Sequence, residues 1–212
     1  MKYLVSFLLL VNFQFSLAQE LAVLKYDGGG DWYANPTALP NLIAFCNQNI
    51  NTKLEKTPKT VSPSSIEIFN YPMVFMTGHG NVFFDDNAVE NFRNYLVSGG
   101  FLHISDNYGF DKFIRREMKK VFPKLKFEEI PYNHPIYHQT YNFESLPKIH
   151  EHDNQQAQGF GLFYEGRLVC FYDYQSDLSD GWEDSSVHNN PEEVRLKALK
   201  MGANLVQYAF MN

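Results

Sequence analysis

The chain has 212 residues, 44% apolar and 20% charged, and its 13 Gly and 10 Pro place it outside the collagenous and low-complexity classes. At this length roughly 70% of the unfolded surface can leave water, enough for one sizeable core without staples. Eighteen basic against 24 acidic residues leave a net charge of −6, and there is no Lys/Arg-rich run. That balance excludes a nucleic-acid partner, which would require a basic surface facing phosphates.

Residues 1–19, MKYLVSFLLLVNFQFSLAQ, read as a secretory signal peptide. Lys2 supplies the positive start, Tyr3 to Val11 the apolar run, and Ser16-Leu17-Ala18 the small residues of a cleavage site. Cleavage after Ala18 makes residues 1–18 the signal and 19–212 a single α/β domain, secreted or periplasmic. The apolar run is too short to span ~30 Å of hydrocarbon, so no transmembrane segment is expected after cleavage. Only Cys46 and Cys170 are present, each in an apolar context that predicts a small buried side chain. Whether they pair is left open by the sequence.

Leu21 to Tyr26 predicts a strand closed by Asp27-Gly28-Gly29-Gly30. Leu39, Leu42, Ile43 and Cys46 have helical spacing, followed by a polar connection over Thr52 to Ser65. Met73 to Met76 predicts a buried strand ended by Thr77-Gly78-His79-Gly80. Asp85 and Asp86 cap a helix carrying Val89, Phe92 and Leu96 on one face, with Gly99-Gly100 as its stop. Phe101 to Ser105 is the next strand, and Phe110 to Val121 the next helix, ended by Pro123. After an aromatic- and Pro-rich excursion, Gly161–Tyr164 and Leu168–Tyr172 form a hairpin across Glu165-Gly166-Arg167. Asn190-Pro191-Glu192-Glu193 starts the last helix. Apolar strands alternating with helices predict a three-layer αβα sandwich: a mostly parallel sheet with a late antiparallel hairpin at its edge.

In such sheets ligands bind beyond the carboxyl ends of the strands. Those ends carry Asp27, Asp31 and Trp32 after the first strand, His79 after the second, Asp106 and Asn107 after the third, and Asp173, Asp180 and Trp182 after the late strand. Asp106, His79 and Asp173 are the candidate catalytic groups; the others, with Arg116 and His134, are candidate ligand contacts. Trp182 suits a platform for a sugar ring and equally an ordinary core position, and one of Arg115 and Arg116 would face a rim carboxylate or an anion. The remaining charge on that helix, Glu117 included, reads as a solvated face. His134 and His138 are four apart, but Pro135 keeps His134 out of helical geometry, so they make a weak metal pair. His150 and His152 read as solvated and His103 as a strand histidine.

The series Thr77-Gly78-His79-Gly80, a helix ending Gly99-Gly100, FLHISDN, FDKFIRREMKKVFP, NHPIY and the late GRLVCFYDYQSDLSDGWE resembles domain of unknown function family 4159, over about Leu21 to Phe210. The resemblance implies membership of the class I glutamine-amidotransferase-like superfamily and its flavodoxin-like fold. It does not carry that superfamily's chemistry, because Asp106 stands near the place of the cysteine nucleophile. Ser105 lacks the Gly-x-Ser-x-Gly context of a serine nucleophile.

Three functions follow as expectations. One is a module that binds a small polar, carbohydrate-like ligand or an envelope protein at the rim. Another is a hydrolase of envelope or extracellular glycans or esters, using Asp106 and Asp173 as acid and base or as holders of Mg²⁺ or Ca²⁺. The third is an inert structural domain of the cell envelope.

Overall fold

In strand β3 (Met73–Met76) every residue is buried. Met73 and Phe75 enter one core, Val74 and Met76 the other, because successive strand side chains point to opposite faces. A strand with no polar side can lie only inside a sheet covered on both faces. The structure is a computed structural model and describes residues 19–152 and 154–211. The signal-peptide reading of residues 1–18 lies outside the described residues.

The other strands are β1 (Ala22–Leu24), β2 (Lys59–Val61), β4 (Phe101–Ser105), β5 (Glu128–Glu129), β6 (Gln158–Tyr164) and β7 (Arg167–Tyr174). Their order across the sheet is β2-β1-β3-β4-β7-β6-β5. From β2 to β7 all neighbours are parallel, while β6 runs antiparallel to β7 and to β5. The hairpin thus supplies the antiparallel flank. Its Glu165 and Gly166 take φ of 49° and 83°, the paired left-handed turn that matches strand twist.

Helices α1 (Ala38–Asn49) and α5 (Glu192–Met211) cover one face, through Leu39, Leu42 and Ile43 and through Ala198, Met201 and Leu205. Helices α2 (Asp86–Val97) and α3 (Asp111–Val121) cover the other, through Phe92 and Leu96 and through Ile114 and Met118. Each such side chain contributes about 1.5–3 kcal/mol by leaving water. The mixed α/β sandwich therefore has the flavodoxin-like layering expected. Asp85 caps α2 by accepting the Ala88 amide at 2.7 Å, and the short α4 (Ser185–His188) precedes α5. No helix among the described residues is long and apolar enough to cross a membrane.

Two local readings are corrected. The polar connection over Thr52 to Ser65 contains β2, whose Lys59 and Thr60 are exposed and whose Val61 is buried. Glu117 is fully buried instead of solvated. Its Oε2 accepts the Phe84 amide at 2.9 Å and Lys120 Nζ at 2.7 Å, and its Oε1 accepts Arg116 Nε at 2.6 Å. Burial alone would raise its pKa, but these donors outweigh that and hold it below the usual value. The cysteines sit in opposite cores and are both free, so they do not pair. Burial pushes the Cys46 thiol up to about 12 and holds Cys170 well above the ordinary thiol value, which removes both as nucleophiles at neutral pH.

Candidate functional site

Strands β1, β3, β4 and β7 end along one edge of the sheet, and side chains stitch the loops that follow them. The Tyr26 hydroxyl donates to Thr77 O at 3.1 Å, and Asn107 Nδ2 to Thr77 Oγ1 at 3.1 Å. Gly78 stands at φ 138°, and a Cβ there would collide with the Tyr26 hydroxyl, so the first two loops approach only because this residue has no side chain. Asn35 Nδ2 donates to Ser179 Oγ and to Asp180 Oδ1 at 2.7 and 2.6 Å. Glu183 accepts the Thr37 and Ala38 amides at 2.8 Å each, placing a carboxylate on the positive end of α1.

Beneath this rim lies a sealed polar network. His103 Nε2 is 2.7 Å from Asp173 Oδ2, and Asp173 Oδ1 accepts Ser105 Oγ and the Leu178 amide, each at 3.2 Å. All three side chains are buried, and the Trp182 ring lies over His103 at 5.3 Å between centroids. Desolvation pushes His103 down to about 3 and raises Asp173 well above a normal carboxyl, so burial favours the neutral form of each. Here the aspartate, not the histidine, joins the serine to its partner, which is the wrong order for a nucleophile triad. The Asp173 oxygens are already engaged, so this residue does not have the free lone pairs that the acid–base and cation readings require.

Asp106 is different. It too is buried, and its Oδ2 accepts the Gln175 amide at 3.1 Å, yet its Oδ1 has no hydrogen-bond partner among the described residues. Desolvation raises its pKa from the ordinary 3.8 to about 7, against the opposing pull of the Gln175 amide and the Tyr172 hydroxyl and with help from Asp177 and Asp111. It lines a pocket of about 340 Å³ together with Tyr108, Asp111, Lys112, Tyr174 and Gln175. Arg115 fixes one wall. Its guanidinium pairs with Asp111 at 2.6 Å and lies over the rings of Phe127, Phe160, Tyr172 and Tyr174 at 4.8–5.6 Å. Arg115 is therefore the arginine that meets a rim carboxylate.

Beside that pocket is a histidine cluster. Tyr108 stacks on His152 at 5.1 Å, and His152 Nε2 meets Asp177 Oδ2 at 2.6 Å. His150 Nδ1 meets Asp180 Oδ2 at 2.9 Å, and His188 Nε2 is 3.8 Å from the same oxygen. Asp180 raises the pKa of His150 against the opposing effect of burial. Gln175 and Asp177 hold left-handed φ of 57° and 52°, conformations costing about 1 kcal/mol each that shape the loop after β7. Two groups, His150–His152–Asp177 and His150–Asp180–His188, each bring three ligand atoms within 4.8 Å of one another.

The remaining candidates are scattered. Asp31 accepts the His79 amide and faces His79 Nδ1 at 3.0 Å, forming an exposed pair between the first two loops. Asp27 is exposed, and Trp32 is half-buried with Lys25 Nζ 5.5 Å from its ring. Asn107 is buried and committed to Thr77. Arg116 turns to Glu117, Asn81 Oδ1 and Val82 O, bracing the β3 loop instead of facing a ligand. Trp182 has no exposed surface and donates its Nε1–H to Ala198 O at 2.8 Å, so it is no sugar platform. His134 accepts the Ile136 amide and packs on Phe163 and Tyr208. Tyr208 in turn stacks on Phe101 at the start of β4, which puts His134 at the opposite end of the sheet. His138 bonds Tyr132 O and Asn142, and among the described residues no group of possible metal ligands contains His134 or His138.

Sequence reasoning did not bring His150, His152 and His188 together. The available signal was His-x-His upstream of two strand-end aspartates, but the loop that brings position 188 back has no periodic signature. Residues 20–210 match the family described as Domain of unknown function (DUF4159), and the chain belongs to that family. No curated protein matches the chain.

Proposed function

We propose that this member of the family is an exported module that binds a small polar, hydroxyl-bearing ligand of carbohydrate type in the pocket around Asp106. The observation that carries this reading is the unpartnered, buried Oδ1 of Asp106. A buried polar atom without a partner costs about 1–3 kcal/mol, a cost that a ligand hydroxyl would remove. Tyr108 and Tyr174 supply ring surface, and Lys112 and Asp111 supply a donor and an acceptor. Sugars are bound by that mixture of aromatic face and polar edge. Export rests on the sequence of residues 1–18, and the superfamily placement on the strand order and layers.

The test is a thermal-shift panel of neutral mono- and disaccharides, including glucose, N-acetylglucosamine, cellobiose and chitobiose. At least one should raise the melting temperature of the wild type, and Asp106→Asn should abolish the rise. A rise that survives Asp106→Asn, or no rise with any member, contradicts the reading.

One observation favours a second reading, hydrolysis. A carboxyl with a pKa of about 7 is suited to act as general acid or base at neutral pH. Turnover of p-nitrophenyl glycosides or esters, lost in Asp106→Asn, would support it. Ser105, Cys46 and Cys170 are all sealed from solvent, so such a reaction would not pass through any of these three as nucleophile.

A further inference from the structure

We propose that His150, Asp180 and His188 form a binding site for one divalent cation of the zinc class, separate from the Asp106 pocket and independent of the reading above. Three segments converge here: the irregular stretch ending at His152, the 3-10 turn Leu178–Gly181 after β7, and, a few residues further on, the end of α4. Each of the three offers a ligand atom within 4.8 Å of the other two, and Asp180 Oδ2 has His150 Nδ1 and His188 Nε2 on either hand. In tetrahedral coordination with bonds of about 2.1 Å, neighbouring ligand atoms lie roughly 3.4 Å apart. The two separations from Asp180 Oδ2, 2.9 Å to His150 and 3.8 Å to His188, bracket that value.

The atoms not assigned to the cation support the arrangement. His150 Nε2 faces Asn190 Oδ1 at 3.2 Å, so an N–H on that nitrogen would be spent there, and Nδ1, 2.9 Å from Asp180 Oδ2, would turn its lone pair to a cation held between the two. Asp180 Oδ1 accepts from Asn35 at 2.6 Å, which leaves Oδ2 as the coordinating oxygen. Such outer partners fix the tautomer and orientation of metal ligands. His188 Nε2 is buried and has no hydrogen bond among the described residues, an unmet lone pair that a cation would satisfy. By contrast His152 and Asp177 already satisfy each other at 2.6 Å and flank the site.

The donor set decides which cation. Magnesium and calcium take oxygen shells, whereas two imidazoles and one carboxylate suit zinc and its first-row neighbours. Three protein ligands leave a fourth position for water or an anionic group, the pattern of sites that are not purely structural.

The experiment is calorimetric titration of the chelator-treated full chain with Zn²⁺, repeated in excess Mg²⁺ and Ca²⁺. Circular dichroism checks the fold of each variant. Wild type should bind one equivalent without competition from Mg²⁺ or Ca²⁺. His188→Ala and His150→Gln should each weaken binding at least about tenfold, while His134→Ala should bind as wild type. If His150→Gln fails to fold, His188→Ala decides, since that side chain lies on a short peripheral helix. No binding by wild type, unchanged binding by His188→Ala, or loss in His152→Ala with His188→Ala intact would each overturn the assignment.

Discussion

The protein pairs histidine with aspartate in two settings, and the difference separates architecture from chemistry. His103 and Asp173 lie under Trp182 with no exposed surface, and burial drives each toward its neutral form. His150, His188 and Asp180 stand at the rim, 25%, 28% and 10% exposed, and there Asp180 raises the pKa of His150. The same residue types thus act as core cement in one place and as an accessible donor set in the other. What decides is whether water and ions can reach them.

Breaking the buried pair should have the largest effect. Asp173→Ala strands His103, Ser105 and the Leu178 amide, and should cost about 3 kcal/mol or more in urea unfolding. Gly202 of α5 comes next: a Cβ there would stand 2.6 Å from Leu42 Cδ1 and 2.7 Å from Trp182 Cζ2. Gly202→Ala should therefore lose about 2 kcal/mol by overpacking, despite the better helix propensity of alanine. Away from both regions, Asp85→Ala removes the α2 cap and should lower stability by about 1 kcal/mol in the same assay. Smallest of all should be His188→Ala in metal-free buffer, within about 0.5 kcal/mol. If that rim substitution cost as much as Asp173→Ala, the distinction between the two settings would fail.

The fold was legible because its signals are local. FLHIS is apolar throughout, Asp85-Asp86 precede a helical stripe, and Glu165-Gly166 sits between two apolar runs. β2 was not legible because three residues with two exposed side chains carry no period. At the site, Asp106 was found by its place after a buried strand. Asp180 was found as a rim residue but not for its histidine partners, and Trp182 and Arg116 were misjudged. Their roles depend on α5 and on the β3 loop, which lie 16 to 35 residues away in sequence. Asp173 follows the same lesson: alternation puts it on the β7 side that faces α1 and α5, but its burial depends on Trp182 and the turn after β7.

The central claim is that Asp106 is a buried carboxyl in the lining of a rim pocket, with one oxygen lacking a hydrogen-bond partner among the described residues. The most direct measurement is a carbon-detected NMR titration of its carboxyl carbon. The account predicts a midpoint at about 7, against 3.8 for an ordinary aspartate. Between those values the folded chain would hold a proton that the unfolded chain has released. The stability contributed by this group should then fall as pH rises from about 4 to 7, and Asp106→Asn should remove that slope. A midpoint near 4, with stability indifferent to Asp106→Asn across that window, would mean a solvated or paired carboxylate and would contradict the account.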